Sequence, residues 1–216
     1  QQINDGLLLE LSFNYLVDEK AAVLFNQGVE IIDTGQNIIP VHYISGFVNT
    51  MPDGYTVSGI LKYANENGTP LTNSTVELWD EDGINLIETT STDDDGYYEF
   101  IGVLPGEYSL NAFTAKPRGG IDVDDLWDLF DYLDTGDPEL TGIYLLAADF
   151  NQDGDINIDD VWDLFDALDS NFSILPDNYI EWVFENPFIT IIGSDVTIDI
   201  HGLCVGDVNG SYIPSP

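Results

Sequence analysis

The chain is poor in positive charge, in sulfur and in long apolar runs, and each shortage removes a class of function. Four lysines and arginines face 40 aspartates and glutamates in 216 residues, a formal net charge of −36. Phosphate repels such a polyanion, so its general field excludes nucleic acid and anionic membrane surfaces as partners. The same field gathers cations, and it keeps the chain soluble in salty, calcium-rich surroundings where screening tames self-repulsion. The single cysteine, Cys204, excludes an internal disulfide and makes no metal cluster by itself. No run of about 18 apolar residues occurs, so no segment is expected to insert in a membrane. Neither a phosphate loop nor a G-x-S-x-G elbow is present. His42 and His201 lie far apart in strand patterns and read as structural. Paired acids could serve a glycosidase, but here they recur in a loop–helix motif and not in a recognisable cleft. The expectation is a protein that is not an enzyme.

What the chain does have is enough to fold. Hydrophobic residues make up 44% and aromatics 12%, which separates it from a disordered acidic tail. Its length allows one large domain or two to three small ones. Gln1 leads almost directly into a strand pattern with no secretory leader, so a piece of something longer is expected.

The most specific stretch is Asp149–Asp160, D-F-N-Q-D-G-D-I-N-I-D-D. Oxygen-bearing side chains fall at the first, third, fifth, ninth and twelfth places: Asp149, Asn151, Asp153, Asn157 and Asp160. Gly154 stands sixth, where a calcium loop turns sharply, and Asp155 stands seventh, where the backbone carbonyl binds. A hard cation such as Ca²⁺ takes roughly six to eight oxygens, and this spacing wraps them around one point. Calcium is the expected cofactor.

The rest of the chain divides three ways. Residues 1–52 carry four short strand patterns, GLLLELSFNY, AAVLF, VEIID and VHYISGFV. Ending in IPVHYISGFVN, they resemble the trailing strands of a cohesin-type β-sandwich, incomplete or exchanged between chains. Residues 53–114 hold strands at about ten-residue spacing with turn signals between them. The pieces ENGTPLTNSTVELWD, TDDDGYYEF and LPGEYSL resemble prealbumin-like or Cna-B-like Ig modules of bacterial surface proteins. Some relatives carry a lysine isopeptide bond. Lys62 sits about where that lysine would be, but Ala112 occupies the place of the acid, so Lys62 reads as a solvated lysine.

Residues 115–216 contain an internal repeat: IDVDDLWDLFDYLDT at 121–135 returns as INIDDVWDLFDALDS at 156–170. Apolar positions recur as in an amphipathic helix, at Val123, Leu126, Trp127 and Phe130, then Ile158, Val161, Trp162 and Phe165. The stretch 178–200 reads as a small β-hairpin insert. The repeat and loop resemble a dockerin, the paired calcium-loop module that docks into cohesins. The resemblance implies a second loop, yet the first copy keeps only the rear half, GGIDVDD at 119–125. The front half is matched by DVNGS at 207–211. Joined, they make a split site from Asp207, Asn209 and Ser211 with Gly120, Asp122 and Asp125. Two rivals stay open: Lys116 and Arg118 could place a side-chain cation there, or 207–211 is a plain polar turn.

The resemblance also implies recognition positions at Val123, Asp124, Ile158 and Asp159, although the Ser/Thr pair usual in dockerins is absent. Trp127 and Trp162 join them as candidate anchors, while helical spacing favours core packing for both. The expected architecture is mainly β, an Ig-like sandwich followed by a small α-helical calcium-binding domain. The expected role is a secreted or cell-surface, calcium-dependent binding module for a cohesin-like partner. The alternative is a calcium-rigidified piece of an adhesin, stalk or filament that associates with copies of itself. Removing calcium is expected to loosen 115–216 and leave 55–114 folded.

Overall fold

The computed structural model describes residues 54–215, preceded by four short strands, and the chain parts into two units at Pro52/Asp53. In the first unit β1 (Ala21–Val23) pairs antiparallel with β4 (Gly46–Val48), and β2 (Ile31–Ile32) with β3 (Ile38–Ile39). The expected strand at 6–15 and His42 lie outside the described residues. So does what the cohesin-like reading needs.

Alternating burial builds the second unit. In β5 (Tyr55–Tyr63) every second residue from Val57 to Tyr63 faces inward. The same period buries Val76 and Leu78 of β6 (Thr75–Asp80), Tyr98 and Phe100 of β8 (Tyr97–Val103), and Leu110 and Ala112 of β9 (Gly106–Phe113). Each large side chain so buried contributes about 1.5–3 kcal/mol, and together they fill the space between two sheets. β7 (Leu86–Ser91) is a mostly exposed edge strand beside β6.

The expected division at residue 114 is not a boundary between bodies, because the chain returns to the sandwich after the helices. β10 (Trp182–Phe184), β11 (Phe188–Ile191), β12 (Val196–Thr197) and β13 (Ile200–Cys204) are not a hairpin insert. β11 extends the second sheet, giving the order β11-β9-β6-β7. β12 and β13 lie parallel along one edge of β5, with β8 antiparallel on the other. A parallel pair needs a long crossover, and the helical segment supplies it. Between β12 and β13, Asp199 takes the place of a ladder carbonyl by accepting from the Ile60 amide at 3.0 Å. It also pairs with Lys62 at 2.8 Å, so Lys62 is not the free solvated lysine expected from the sequence. Half-exposed as it is, that pair contributes little.

The crossover holds α1 (Val123–Thr135), α2 (Ile143–Ala148) and α3 (Ile158–Asp169). α1 and α3 open on the same capping box: Asp122 with Asp125, and Asn157 with Asp160. Gly136 closes α1 in the left-handed conformation. Leu129 and Leu164 are fully buried at the base of the two helices. The sequence placed the Trp-bearing stripe toward the core, and the structure places the leucine stripe there.

Candidate metal centre

The loop Asp149–Asp160 runs from the end of α2 to the first turn of α3. Phe150 is fully buried against Tyr179, their ring centroids 5.0 Å apart, and fixes the base of the loop. Gly154 turns the chain at φ 94°, a region a side chain disfavours. Asp149 accepts the amides of Asp153 at 3.1 Å and Gly154 at 3.0 Å, one on each oxygen. Asn151 accepts from Asp153 at 3.0 Å, and Asp153 from Asp155 at 2.9 Å. At the far end Asn157 accepts the Asp159 amide, and Asp160 accepts those of Asn151 and Asn157. The Asp155 carbonyl accepts from the Asn157 side-chain Nδ2 at 3.3 Å. The backbone amides hold the side-chain oxygens in place, and each carboxylate oxygen keeps a further lone pair for a cation.

Residues 207–211 and 119–125 meet in the same way. Asp207 accepts the amides of Ser211 at 2.9 Å and Tyr212 at 3.1 Å, as Asp149 does those of Asp153 and Gly154. Asn209 accepts from Ser211 at 3.0 Å, as Asn151 does from Asp153. Asp122 accepts the Asp124 amide at 2.8 Å, and Asp125 that of Asp122 at 2.9 Å. The bond that closes each loop is also repeated. Asn209 donates to Asp125 at 3.2 Å across 84 residues, where Asn151 donates to Asp160 at 3.2 Å across 9. Ser211 Oγ then donates to the Gly120 carbonyl at 3.2 Å. Gly120 sits at φ 83°, and a Cβ there would meet the Asp207 carboxylate at 2.5 Å, so the halves approach too closely for any side chain.

Lys116 and Arg118 do not fill this site. Lys116 bonds Thr72 and the Ser215 carbonyl, while Arg118 pairs with Glu181 at 2.9 Å and lies over the Phe172 ring. Nor is 207–211 a free polar turn, since Val208 is buried and Gly206 donates to the Ala147 carbonyl.

Electrostatics single out three residues. Among the described residues the buried charged side chains are Asp125, Asp160 and Asp207, each 0% exposed. Their hydrogen-bond partners are amides and hydroxyls, and other carboxylates stand beside them, Asp207 and Asp122 by Asp125 and Asp149 by Asp160. The ion pairs among the described residues lie elsewhere, at Lys62–Asp199, Arg118–Glu181 and His201–Glu185. Burial pushes the Asp125 carboxyl up to about 7, against the pull of the Asp122 amide, and moves Asp160 upward too. Among the described residues no three His, Cys, Asp or Glu side chains converge as one cluster, and the oxygens of each loop come from carboxylates, amides, hydroxyl and carbonyls together. Cys204 is buried, and its thiol is pushed up to about 11 by that burial.

One participant has no signal in the sequence motif. Tyr63, buried at the end of β5, donates its hydroxyl to Asp207 and accepts the Cys204 amide at 3.1 Å. Burial raises the phenol far above its ordinary range, so it stays a donor. Tyr212 packs edge-on against it at 5.5 Å.

The residues expected from the sequence to serve recognition stand on the solvent side of the helices. Trp127 is 58% and Trp162 60% exposed, and Val123, Phe130, Ile158 and Phe165 are exposed with them. The two tryptophans are therefore not core residues. Asp124 and Asp159 are exposed on the first turns.

Residues 53–117 match the family described as BOS complex subunit NOMO1-like, second beta sandwich domain. That segment is an Ig-like β-sandwich unit. No curated protein matches the chain. Among solved structures, the Bacillus anthracis TIE protein aligns over 81% of this chain at 10% identity with a TM-score of 0.34. GBS52, the minor pilin of Streptococcus agalactiae, aligns over 75% at 12% identity and 0.35, and BcpA*(D312A), the major pilin subunit of Bacillus cereus, over 45% at 14% and 0.30. The chain spans 22%, 53% and 30% of those three chains respectively. Likeness at that level assigns no activity.

Proposed function

We propose that residues 53–216 are a non-catalytic, calcium-stabilised Ig-like module of a secreted or surface protein. The observation that carries this reading is the burial of Asp125, Asp160 and Asp207 without a cationic partner among the described residues. An ionised carboxylate in the interior costs several kcal/mol unless it is paired or bound to metal. All three stand at loop ends that a calcium loop fills with carboxylates. Asp149, Asn151, Asp153, Asp155, Asn157 and Asp160 would hold one ion; Asp207, Asn209, Ser211, Gly120, Asp122 and Asp125 the other. A mixed, flexible set of oxygens suits Ca²⁺ better than Mg²⁺, which demands a near-ideal octahedron and sheds water reluctantly. In this role the ions are structural, and calcium-rich surroundings outside the cell keep them bound.

Titration calorimetry tests the assignment. The chain should bind two Ca²⁺, and Asp207→Ala should bind one. A stoichiometry unchanged by Asp207→Ala sinks the split site, and no binding by the parent chain sinks the reading as a whole.

A second reading, a dockerin-like binding module, is favoured by the exposed pair of aromatic stripes on α1 and α3. There calcium holds two helices in register for a cohesin-like domain, through Val123, Asp124, Trp127, Ile158, Asp159 and Trp162.

A further inference from the structure

The aromatic stripes of α1 and α3 line one groove of about 230 Å³, walled by Leu126, Trp127, Phe130, Val161, Trp162 and Phe165, with Ile158 at its end. Each wall carries a Trp–Phe pair packed edge to face, at 6.2 Å in α1 and 6.1 Å in α3. The rings therefore support one another without a covering element. Monomers seldom expose apolar side chains in so contiguous a patch without a use for it.

The rims decide what the groove accepts. At 100° per residue, Asp124 and Asp131 fall just beyond Trp127 on the outward side of α1, and Asp159 and Asp166 just beyond Trp162 on α3. All four are exposed, and neither helix contains a lysine or arginine. A second copy would bring acid against acid, from a chain with 40 acidic and 4 basic residues. An anionic lipid surface meets the same repulsion.

We propose that this groove docks a cationic amphipathic segment of a partner protein, its large apolar side chains entering between the tryptophans and its lysines or arginines meeting Asp124, Asp131, Asp159 and Asp166. The proposal rests on the binding reading of the helix pair and adds the partner's chemistry. Apolar anchors seated among aromatic rings would supply the affinity, and the acidic rims would supply orientation and rate.

The test uses the 216-residue chain with calcium, a synthetic amphipathic helix of leucine and lysine, and the same helix with glutamate for lysine. The lysine peptide should bind at least tenfold tighter than the glutamate peptide. Trp127→Ala with Trp162→Ala, which keeps every charge, should weaken it about tenfold. Asp131→Asn with Asp166→Asn, outside both loops, should weaken it severalfold and flatten its salt dependence. Circular dichroism checks that both variants keep their helices. Equal binding of the two peptides overturns the cationic partner and spares the binding reading. Unchanged lysine-peptide binding by the tryptophan variant means general adhesion to an acidic surface, and overturns the groove. A parent dimer in sedimentation that the tryptophan variant loses assigns the groove to a second copy and also overturns the proposal. Binding of neither peptide, with no dimer, removes the binding reading itself.

Discussion

Tyr63 belongs to the sandwich by its strand and to the second loop by its hydroxyl. Replacing it with Phe leaves Asp207 without that donor and the Cys204 amide without its acceptor. The expected cost is about 1–3 kcal/mol in denaturant unfolding. If the proposed sites hold calcium, affinity should fall at the split site and hold at the loop Asp149–Asp160, as read by calorimetry. Equal weakening at both sites would contradict the local role of Tyr63. The shape of the loop at Asp149–Asp160 was legible because the motif is local: its oxygen-bearing side chains, its glycine and its capping box lie within one short window. Tyr63 was not, because it reaches Asp207 from 144 residues away and one tyrosine among eleven carries no mark. Lys116 and Arg118 turn away from the site for reasons equally hidden from the sequence, since a side chain's direction is not written in its spacing.

Each helix carries more apolar residues than one face can bury, so periodicity established the helix and left its orientation open. In α1 the sequence offers a leucine stripe and a Val123–Trp127–Phe130 stripe side by side, and helical spacing favoured burying the tryptophan. The structure buries Leu129 and exposes Trp127. Leu129→Ala should therefore cost about 2–5 kcal/mol in chemical denaturation, and Trp127→Ala well under half of that. A reversed order would mean that the stripes are misassigned. The late strands show the same limit on a larger element. Their alternation was readable at 178–200, but the partner of β13 is β5, which no local pattern announces. Turn signals beside β11 and β12 favoured a hairpin, whereas burial of Ile200 and Leu203 is satisfied only against the earlier sheet.

At the scale of the molecule, the helices and the sandwich share strands, which alters what chelation should do. The sequence suggested that EGTA would loosen everything after residue 115 and spare the rest. β13 runs directly into Val205 and the half-loop at 207, so opening the split site should extend to that strand and to its edge of β5. Hydrogen exchange with and without EGTA should show protection lost in 119–135 and 200–212, less in β6 and β9. Uniform protection in both conditions would refute it. The bond between Asn209 and Asp125 spans 84 residues, so an ion there closes a ring of that size in a chain unable to form a disulfide. By the entropy of loop closure, a permanent link over such a span is worth about 4–5 kcal/mol. With calcium bound as proposed, the link would be ionic, and its strength would follow the free calcium around it. On the proposed reading the protein would carry a cross-link that needs no oxidant to form and no reductant to open, set by the composition of the medium alone.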